Sequence, residues 1–443
     1  MIDMVKKLWD NEKPVINDPP PGKKVKELLQ KMGYERDAPY PVAKYAEGVW
    51  LQDLDDNVLF DFISGRCTVN AGHRHPEIMK ALKAQADRVT HCGVEDLYNL
   101  EKSLDAVVPL RGAGDLRATY AISGSAANDA AIKMARKVTG RMGIICFAGA
   151  YHGTTYGALS VSSYVPSMVK GFGRLNDVFY FPYPDYLHPP LGGLDGGDVD
   201  DIIIGLIEQA LETYMPPEEV AAVLFEPVAG DAGWLVPSKN FVKKLDKLAQ
   251  KNDILFISEE VQTGFGRTGE WFCTENYGVT PDIVVLGKAM AGGAVAMAGA
   301  VAKQSLLERS GGFYHGHTMG RQPLGLAATL ANIDVIRSEK LAARSRANGS
   351  LMMSRLKEAE EKYGCVVETR GIASLIGVEI SSKELAGKIA VECYRNGVYI
   401  IEMGYRGIGA LRVAPPLVST EAQLENALAV IEDALKKAEK GDL

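Results

Sequence analysis

From about residue 116, short continuously apolar runs alternate with stretches in which apolar residues return every three or four positions. ATYAIS leads into SAANDAAIKMARKVTG, GIICFAG follows, and VFYFP precedes VDDIIIGLIEQALETYM across a loop that includes PLGGLDGGDVDD. AAVLFEP then precedes NFVKKLDKLAQKN, and ILFISEE and DIVVLGKAM come next. Strands this uniformly apolar are covered on both faces, which predicts a mostly parallel sheet between helical layers. Earlier, GVWLQDLDDNVLFDF alternates apolar and polar residues around Asp55-Asp56-Asn57 and reads as a β-hairpin. PEIMKALKAQADRV reads as a helix with proline in its first turn. After the apolar strands, PLGLAATLANIDVIRSEKLAARSRANGSLMMSRLKEAEEKYG reads as one long helical stretch. CVVETRGIASLIGVEIS, VYIIEM, LRVAPP and the helix-patterned TEAQLENALAVIEDALKKAEKG follow. The expected fold class is α/β, with a large doubly wound, mostly parallel domain over 65–325 and a smaller α+β domain over 326–443. The N-terminal segment and hairpin, 1–64, are expected to join the smaller domain.

Composition narrows the class. The 443 residues suffice for a large core and a satellite domain, and 47% hydrophobic with 24% charged residues is ordinary for a globular protein. No apolar run is long enough for a membrane span, and the charged N-terminus lacks the apolar region of a secretory signal, so a cytoplasmic location is expected. A net charge of -7 argues against a nucleic-acid partner. Cys67, Cys92, Cys146, Cys273, Cys365 and Cys393 show no C-x-x-C spacing, so buried reduced thiols are expected and no metal site.

Gly264, Gly266 and Gly269 in EEVQTGFGRTG have the G-x-G-x-x-G spacing, yet Glu259 to Thr263 separate them from the strand, and Asp282 begins the next strand where a ribose-binding acid would end it. A dinucleotide-binding turn therefore fails on context. Ligands of an open parallel sheet bind beyond the carboxyl ends of its strands. Here those ends carry Ser123-Gly124-Ser125, Tyr151-His152-Gly153, Glu226-Pro227, Glu259-Glu260 and Gly287-Lys288. Ser123 to Ser125 lie between a strand and a helix, where free N–H groups and the helix dipole attract an anion, though an ordinary N-cap has the same look. Lys288, after the apolar IVVL, is a poorly solvated amine of the kind that forms Schiff bases, or a lysine snorkelling from the sheet rim. Glu259 supplies a carboxylate able to hold a ring nitrogen protonated, or a salt bridge. A phosphate cradle, an aromatic, a carboxylate and a lysine on successive strand ends form the set that pyridoxal phosphate requires.

With these motifs the chain resembles the class III aminotransferases among the fold-type I pyridoxal-phosphate enzymes. The resemblance runs through SGRCTVNAGHRHP, SGSAANDAAIKMAR, GAYHGTTYGALS, FEPVAGDAG, EEVQTGFGRTG, PDIVVLGKAMAGG, HGHTMGRQPLGLAA and LRVAPPL. It implies that Lys288 is the Schiff-base lysine that later moves the α-proton, and that Ser123, Gly124, Ser125 and, across a homodimer interface, Thr318 bind phosphate. It implies further that Tyr151, beside His152, stacks on the ring, that Val261 covers the other face, that Gln262 reaches the ring hydroxyl and that Glu259 pairs with the ring nitrogen. Arg412 would take the substrate α-carboxylate. Glu226 falls at the same substrate end.

Four positions depart from the family pattern: Glu259 where Asp is usual, Ala126 in place of an acid, Ala229 in place of Gln, and Arg66 where a small or apolar residue lines the substrate pocket. Arg66 either recognises a second carboxylate or points to solvent. Asp231 is similar to the residue of α-amino-ε-caprolactam racemase and isoleucine 2-epimerase with a proposed second-base role. The resemblance thus implies an aminotransferase acting on an amino acid or ω-amine and a keto acid by a ping-pong cycle. A racemase using Lys288 and Asp231 as opposed bases is the alternative, and a dinucleotide-dependent oxidoreductase is the alternative from another class.

Overall fold

The computed structural model describes residues 11–33, 41–93, 95–191, 198–309, 311 and 315–443. The first ten residues of the N-terminal segment and positions 192–197 of the glycine-rich loop lie outside the described residues.

Three strands come first: β1 (Ala43–Glu47), β2 (Trp50–Asp53) and β3 (Val58–Asp61). β2 and β3 form the expected hairpin, pairing antiparallel with Trp50 opposite Phe60. The Asp53 carboxylate accepts from the backbone N–H groups of Asp55 and Asn57, each at 2.9 Å, and Asp56 takes the left-handed conformation the tight turn demands (φ 66°).

The large sheet contains β4 (Leu116–Ala121), β5 (Gly143–Phe147), β6 (Val178–Phe181), β7 (Val220–Phe225), β8 (Leu255–Glu259), β9 (Ile283–Leu286) and β10 (Ala298–Lys303). Their spatial order is β4-β10-β9-β8-β7-β5-β6. Every residue of β7, β8 and β9 is buried, as a strand covered by helices on both sides must be. β10 runs antiparallel to both β4 and β9 and was not anticipated from the sequence. Its AGAVAK has few β-branched or bulky residues, because Ala298, Ala300 and Ala302 share a core with Ala127, Ala130 and Ala131 of helix Gly124–Thr139, and only small side chains allow that approach. On the other face, Phe147, Tyr183, Phe225 and Phe241 interlock, with Tyr183 and Phe225 stacked at 5.4 Å. Each ring contributes on the order of 1.5–3 kcal/mol by leaving water.

The remaining strands are β11 (Val366–Ile372), β12 (Leu375–Ile380), β13 (Val398–Tyr399), β14 (Ile401–Met403) and β15 (Gly409–Val413). VYIIEM divides between two sheets. β13 pairs parallel with β3, while β14 joins β15 in the sheet β11-β12-β15-β14. The N-terminal hairpin therefore packs with the C-terminal region, Trp50, Phe60 and Phe62 sharing a core with Ile376, Val378, Leu411 and Val413. The stretch read as one long helix is two, Pro323–Ser338 and Leu341–Lys362, because Lys340 adopts φ 53° and turns the chain between them. One cysteine also departs from expectation: Cys92 is exposed, while the other five are buried. Among the described residues no helix is long and apolar enough to cross a membrane.

Candidate active site

A cavity of about 380 Å³ opens at the carboxyl ends of β4, β5, β7, β8 and β9. Ser123, Gly124, Ser125, Tyr151, His152, Glu226, Asp231, Glu259, Val261, Gln262 and Lys288 line it together. Gly153, also among the strand-end residues, lines it, as do Asn128, Thr154, Thr155 and Gly230, which were not singled out from the sequence. The HGTT run in the loop after β5 was the available signal for Thr154 and Thr155.

One end of the cavity is built for an anion. Ser123 caps helix Gly124–Thr139, accepting from the Ala126 N–H at 3.2 Å, and no acid in the first turn neutralises the helix dipole. Ser125 Oγ accepts from the backbone N–H of Thr154 at 2.6 Å and of Thr155 at 3.3 Å, which ties the loop after β5 to this helix start. Two glycines make the approach possible. A Cβ on Gly153, whose φ is 125°, would lie 1.8 Å from Ser125 Oγ, and one on Gly124 would lie 2.9 Å from Val261 Cγ1.

Carboxylates and a histidine crowd the middle. Glu259, 5% exposed, accepts from the Val261 N–H at 2.9 Å through Oε1, and its Oε2 lies 3.4 Å from His152 Nδ1. His152 is buried, its carbonyl held by Asn128 Nδ2 at 2.8 Å, and neither ring nitrogen makes a hydrogen bond. Glu226 accepts from the backbone N–H of Tyr151 (3.3 Å) and of Gly230 (3.4 Å). Burial first, then the charges of Glu259 and Asp231, push its carboxyl well above the ordinary range. Lys288 is half-buried and opens a short 3-10 turn after β9 with φ 41°, a left-handed conformation uncommon outside glycine.

The far end holds a closed cluster. Arg412 on β15, 3% exposed, donates through Nη2 to Asp231 Oδ1 at 2.6 Å and to the Gly230 carbonyl at 2.9 Å. Its guanidinium lies 5.3 Å from the centre of the Trp234 ring. Arg412 therefore stands behind Asp231 and does not itself line the cavity. Arg66 is exposed and outside the lining, on a left-handed turn in which Ser64, Gly65, Arg66 and Cys67 all have positive φ. Its charge acts on the Tyr151 phenol, whose pKa burial and Asp231 nevertheless raise. Thr318 is exposed and is not among the lining residues.

The two acids of EEVQTGFGRTG separate cleanly. Glu260 points into the protein, accepting from the N–H groups of Cys273 (3.0 Å) and Thr274 (2.9 Å), and burial raises its carboxyl pKa. The glycines lead away from the cavity. Gly266 and Gly269 both have positive φ, and the fully buried Arg267 between them donates to the carbonyls of Ser374 and Pro415 and to side-chain oxygens of Ser64 and Asn70.

The donor set fits pyridoxal phosphate: an uncompensated helix start for a dianion, a buried histidine beside Glu259 with no hydrogen bond on either ring nitrogen, and an amine facing the same space. The cavity volume is also within the range of small-ligand sites.

The sequence profile of the family described as Aminotransferase class-III matches residues 33–435. An alanine/serine racemase of Pyrococcus horikoshii is 34% identical over 451 aligned positions, covering 96% of this chain and 93% of that protein. A probable 4-aminobutyrate aminotransferase of Bacillus subtilis is 31% identical, over 89% of this chain and 93% of the other. An amine transaminase crystal structure from an uncultivated Pseudomonas species, in its PLP-bound form, matches with a TM-score of 0.82 and 25% identity, over 90% of this chain and 95% of that one.

Proposed function

The chain belongs to the class-III aminotransferase family, and from that premise we propose that it moves an amino group from an amino acid or ω-amine to a keto acid with pyridoxal phosphate as cofactor. The observation that carries this reading is the convergence of Lys288, Glu259 and the Ser123–Ser125 helix start on one cavity. When bound, pyridoxal phosphate supplies an aldehyde that captures an amine and a ring that holds the electron pair left when the α-proton departs. Lys288 Nζ is the base that takes that proton and returns it. Glu259 Oε2, with the Val261 N–H fixing its other oxygen, keeps a proton at the ring nitrogen. Ser123, Gly124, Ser125 and the neighbouring Thr154 and Thr155 hold the phosphate. Tyr151 and Val261 close the two ring faces against water, and Gln262 donates to the ring oxygen. Burial and the charges of Glu259 and Asp231 raise the Glu226 carboxyl pKa and so favour its neutral form, which limits the charge the cavity must bury.

Arg412 takes the substrate carboxylate in exchange for Asp231. An ω-amine without a carboxylate at that end leaves the pair closed. Arg66, whose charge reaches the Tyr151 phenol, extends the substrate end for a second carboxylate. In the same reading the molecule is a homodimer in which Thr318 completes the neighbouring site, with Ile122, Tyr156 and Met319 as exposed apolar side chains. A division at 1–64, 65–325 and 326–443 and a cytoplasmic, reducing setting complete it.

A second reading is favoured by one observation. Asp231 and Lys288 line the same cavity, so Asp231 released from Arg412 would serve as the second base of an amino-acid racemase, the activity named for the Pyrococcus horikoshii relative. One experiment separates the two: incubation with a single-enantiomer amino acid in deuterated water without keto acid. A stoichiometric half-reaction identifies an aminotransferase, and catalytic inversion with α-deuterium uptake a racemase. A colourless protein that gains no borohydride-stable label on Lys288 after incubation with pyridoxal phosphate overturns both.

A further inference from the structure

Trp234 lies in the turn that carries Asp231, and nothing in the mechanism above uses it. The turn closes through the Ala229 N–H to the Leu235 carbonyl at 3.0 Å, and Arg370 grips the Gly233 carbonyl through Nε and Nη2 at 3.2 and 3.0 Å. Within it Trp234 adopts φ 55°, a left-handed conformation that costs a bulky residue on the order of 1–3 kcal/mol. That strain sets an almost fully buried indole between two residues of the site, with 1% of its surface exposed. Nε1 donates to Gln262 Oε1 at 3.2 Å, and the ring lies against the Arg412 guanidinium.

An indole N–H can only donate, so the Gln262 atom it meets is the carbonyl oxygen. With that oxygen engaged, the amide NH₂ is the end of Gln262 left for the cavity it lines. Gly230 seals the arrangement, since a Cβ there would lie 2.4 Å from Gln262 Oε1.

We propose that Trp234 is a positioning residue that fixes Gln262 with its amide N–H toward the cofactor's ring oxygen. This rests on the reading that Gln262 meets that oxygen. A free amide presents its oxygen as readily as its nitrogen, and an oxygen facing the anionic ring oxygen repels it. The indole removes that choice and couples the ring contact to the turn that carries Asp231.

The readout is the pH midpoint of the visible absorption band of the holoenzyme, recorded without substrate. A donor to the ring oxygen stabilises its negative charge, so losing the donor keeps the shared proton on the oxygen and the Lys288 nitrogen to higher pH. Gln262→Ala is expected to raise the midpoint by about 0.5–1 pH unit, the size of one net hydrogen bond. Trp234→Phe keeps the ring face and the bulk but not the N–H. It should raise the midpoint comparably, and the double variant should rise no further than Gln262→Ala alone. Binding of butyrate, a carboxylate without an amine, should stay within about twofold in Trp234→Phe because the phenyl face under Arg412 remains. If Gln262→Ala shifts the midpoint but Trp234→Phe does not, or the two shifts add, the role of Trp234 is overturned. A fall in butyrate affinity with Trp234→Phe identifies collapse of the turn and overturns it as well. If Gln262→Ala leaves the midpoint unmoved, the reading of Gln262 fails and takes this inference with it.

Discussion

Gly153→Ala tests the anion cradle at the point where the chain leaves least room. The added methyl carbon would lie 1.8 Å from Ser125 Oγ, 2.6 Å from its Cβ and 2.7 Å from its Cα, so rotating the hydroxyl away does not relieve the clash. At φ 125° the alanine also enters a conformation L-residues avoid, which costs on the order of 1–3 kcal/mol before any contact is counted. Moving Ser125 breaks its hydrogen bonds from the Thr154 and Thr155 N–H groups, at about 1 kcal/mol each. The sum is about 3–5 kcal/mol, among the larger effects of a single methyl group. Because the strain falls between helix Gly124–Thr139 and the loop after β5, the loss should appear mainly as weaker cofactor binding. Absorbance titration of the cofactor-free protein with pyridoxal phosphate is expected to give an affinity at least about 100-fold lower, since each 1.4 kcal/mol is tenfold. A thermal melt of the same sample should show a reduced Tm. A variant with unchanged affinity and melting would refute the steric argument and the assignment of this loop to the phosphate.

Glu226→Gln tests the buried carboxyl. Its folded pKa is raised by burial and by Glu259 and Asp231, so the stability it lends is full below the ordinary carboxylate pKa of about 4.3 and is lost as pH rises toward the folded value. The neutral variant escapes that loss, and its Tm advantage over the parent in cofactor-free melts should grow with pH; parallel Tm curves would contradict the assignment. Asp231→Asn removes the charge that holds Arg412, so butyrate should bind several-fold more tightly in equilibrium titrations. In the racemase reading the same variant should abolish enantiomer inversion while leaving the half-reaction measurable. Arg267→Met leaves buried acceptors of Ser374, Pro415, Ser64 and Asn70 without their donor, at about 1–3 kcal/mol for each. Its urea midpoint should fall sharply, and a midpoint within error of the parent would refute the account of the glycine turn as a structural joint.

Much of the site was legible because strand ends are legible. The apolar runs of β7, β8 and β9 stop at Phe225, Glu259 and Leu286, and the polar residues just beyond them face one space by the geometry of a parallel sheet. What escaped notice lacked such a signal. β10 is alanine and glycine where strands usually carry β-branched residues, because a helix presses on it. Asn128 looks like any polar residue in the first turns of a helix until His152 is seen to lean on it. Trp234 reads as one more core aromatic until its N–H is found on Gln262.

The sequence by itself determined the layered α/β sheet, its family and the residue types at the strand ends, since these depend on periodicity and on local order along the chain. Tertiary structure decided which of those residues meet. Glu259 faces the cavity while Glu260, one position on, turns inward to cap a loop, because side chains alternate across the chain at a strand's end. Arg412 is held by Asp231, 181 positions earlier, because β15 of one sheet packs behind the turn after β7 of another. Pairings at that separation follow from how layers stack, and no local pattern encodes them.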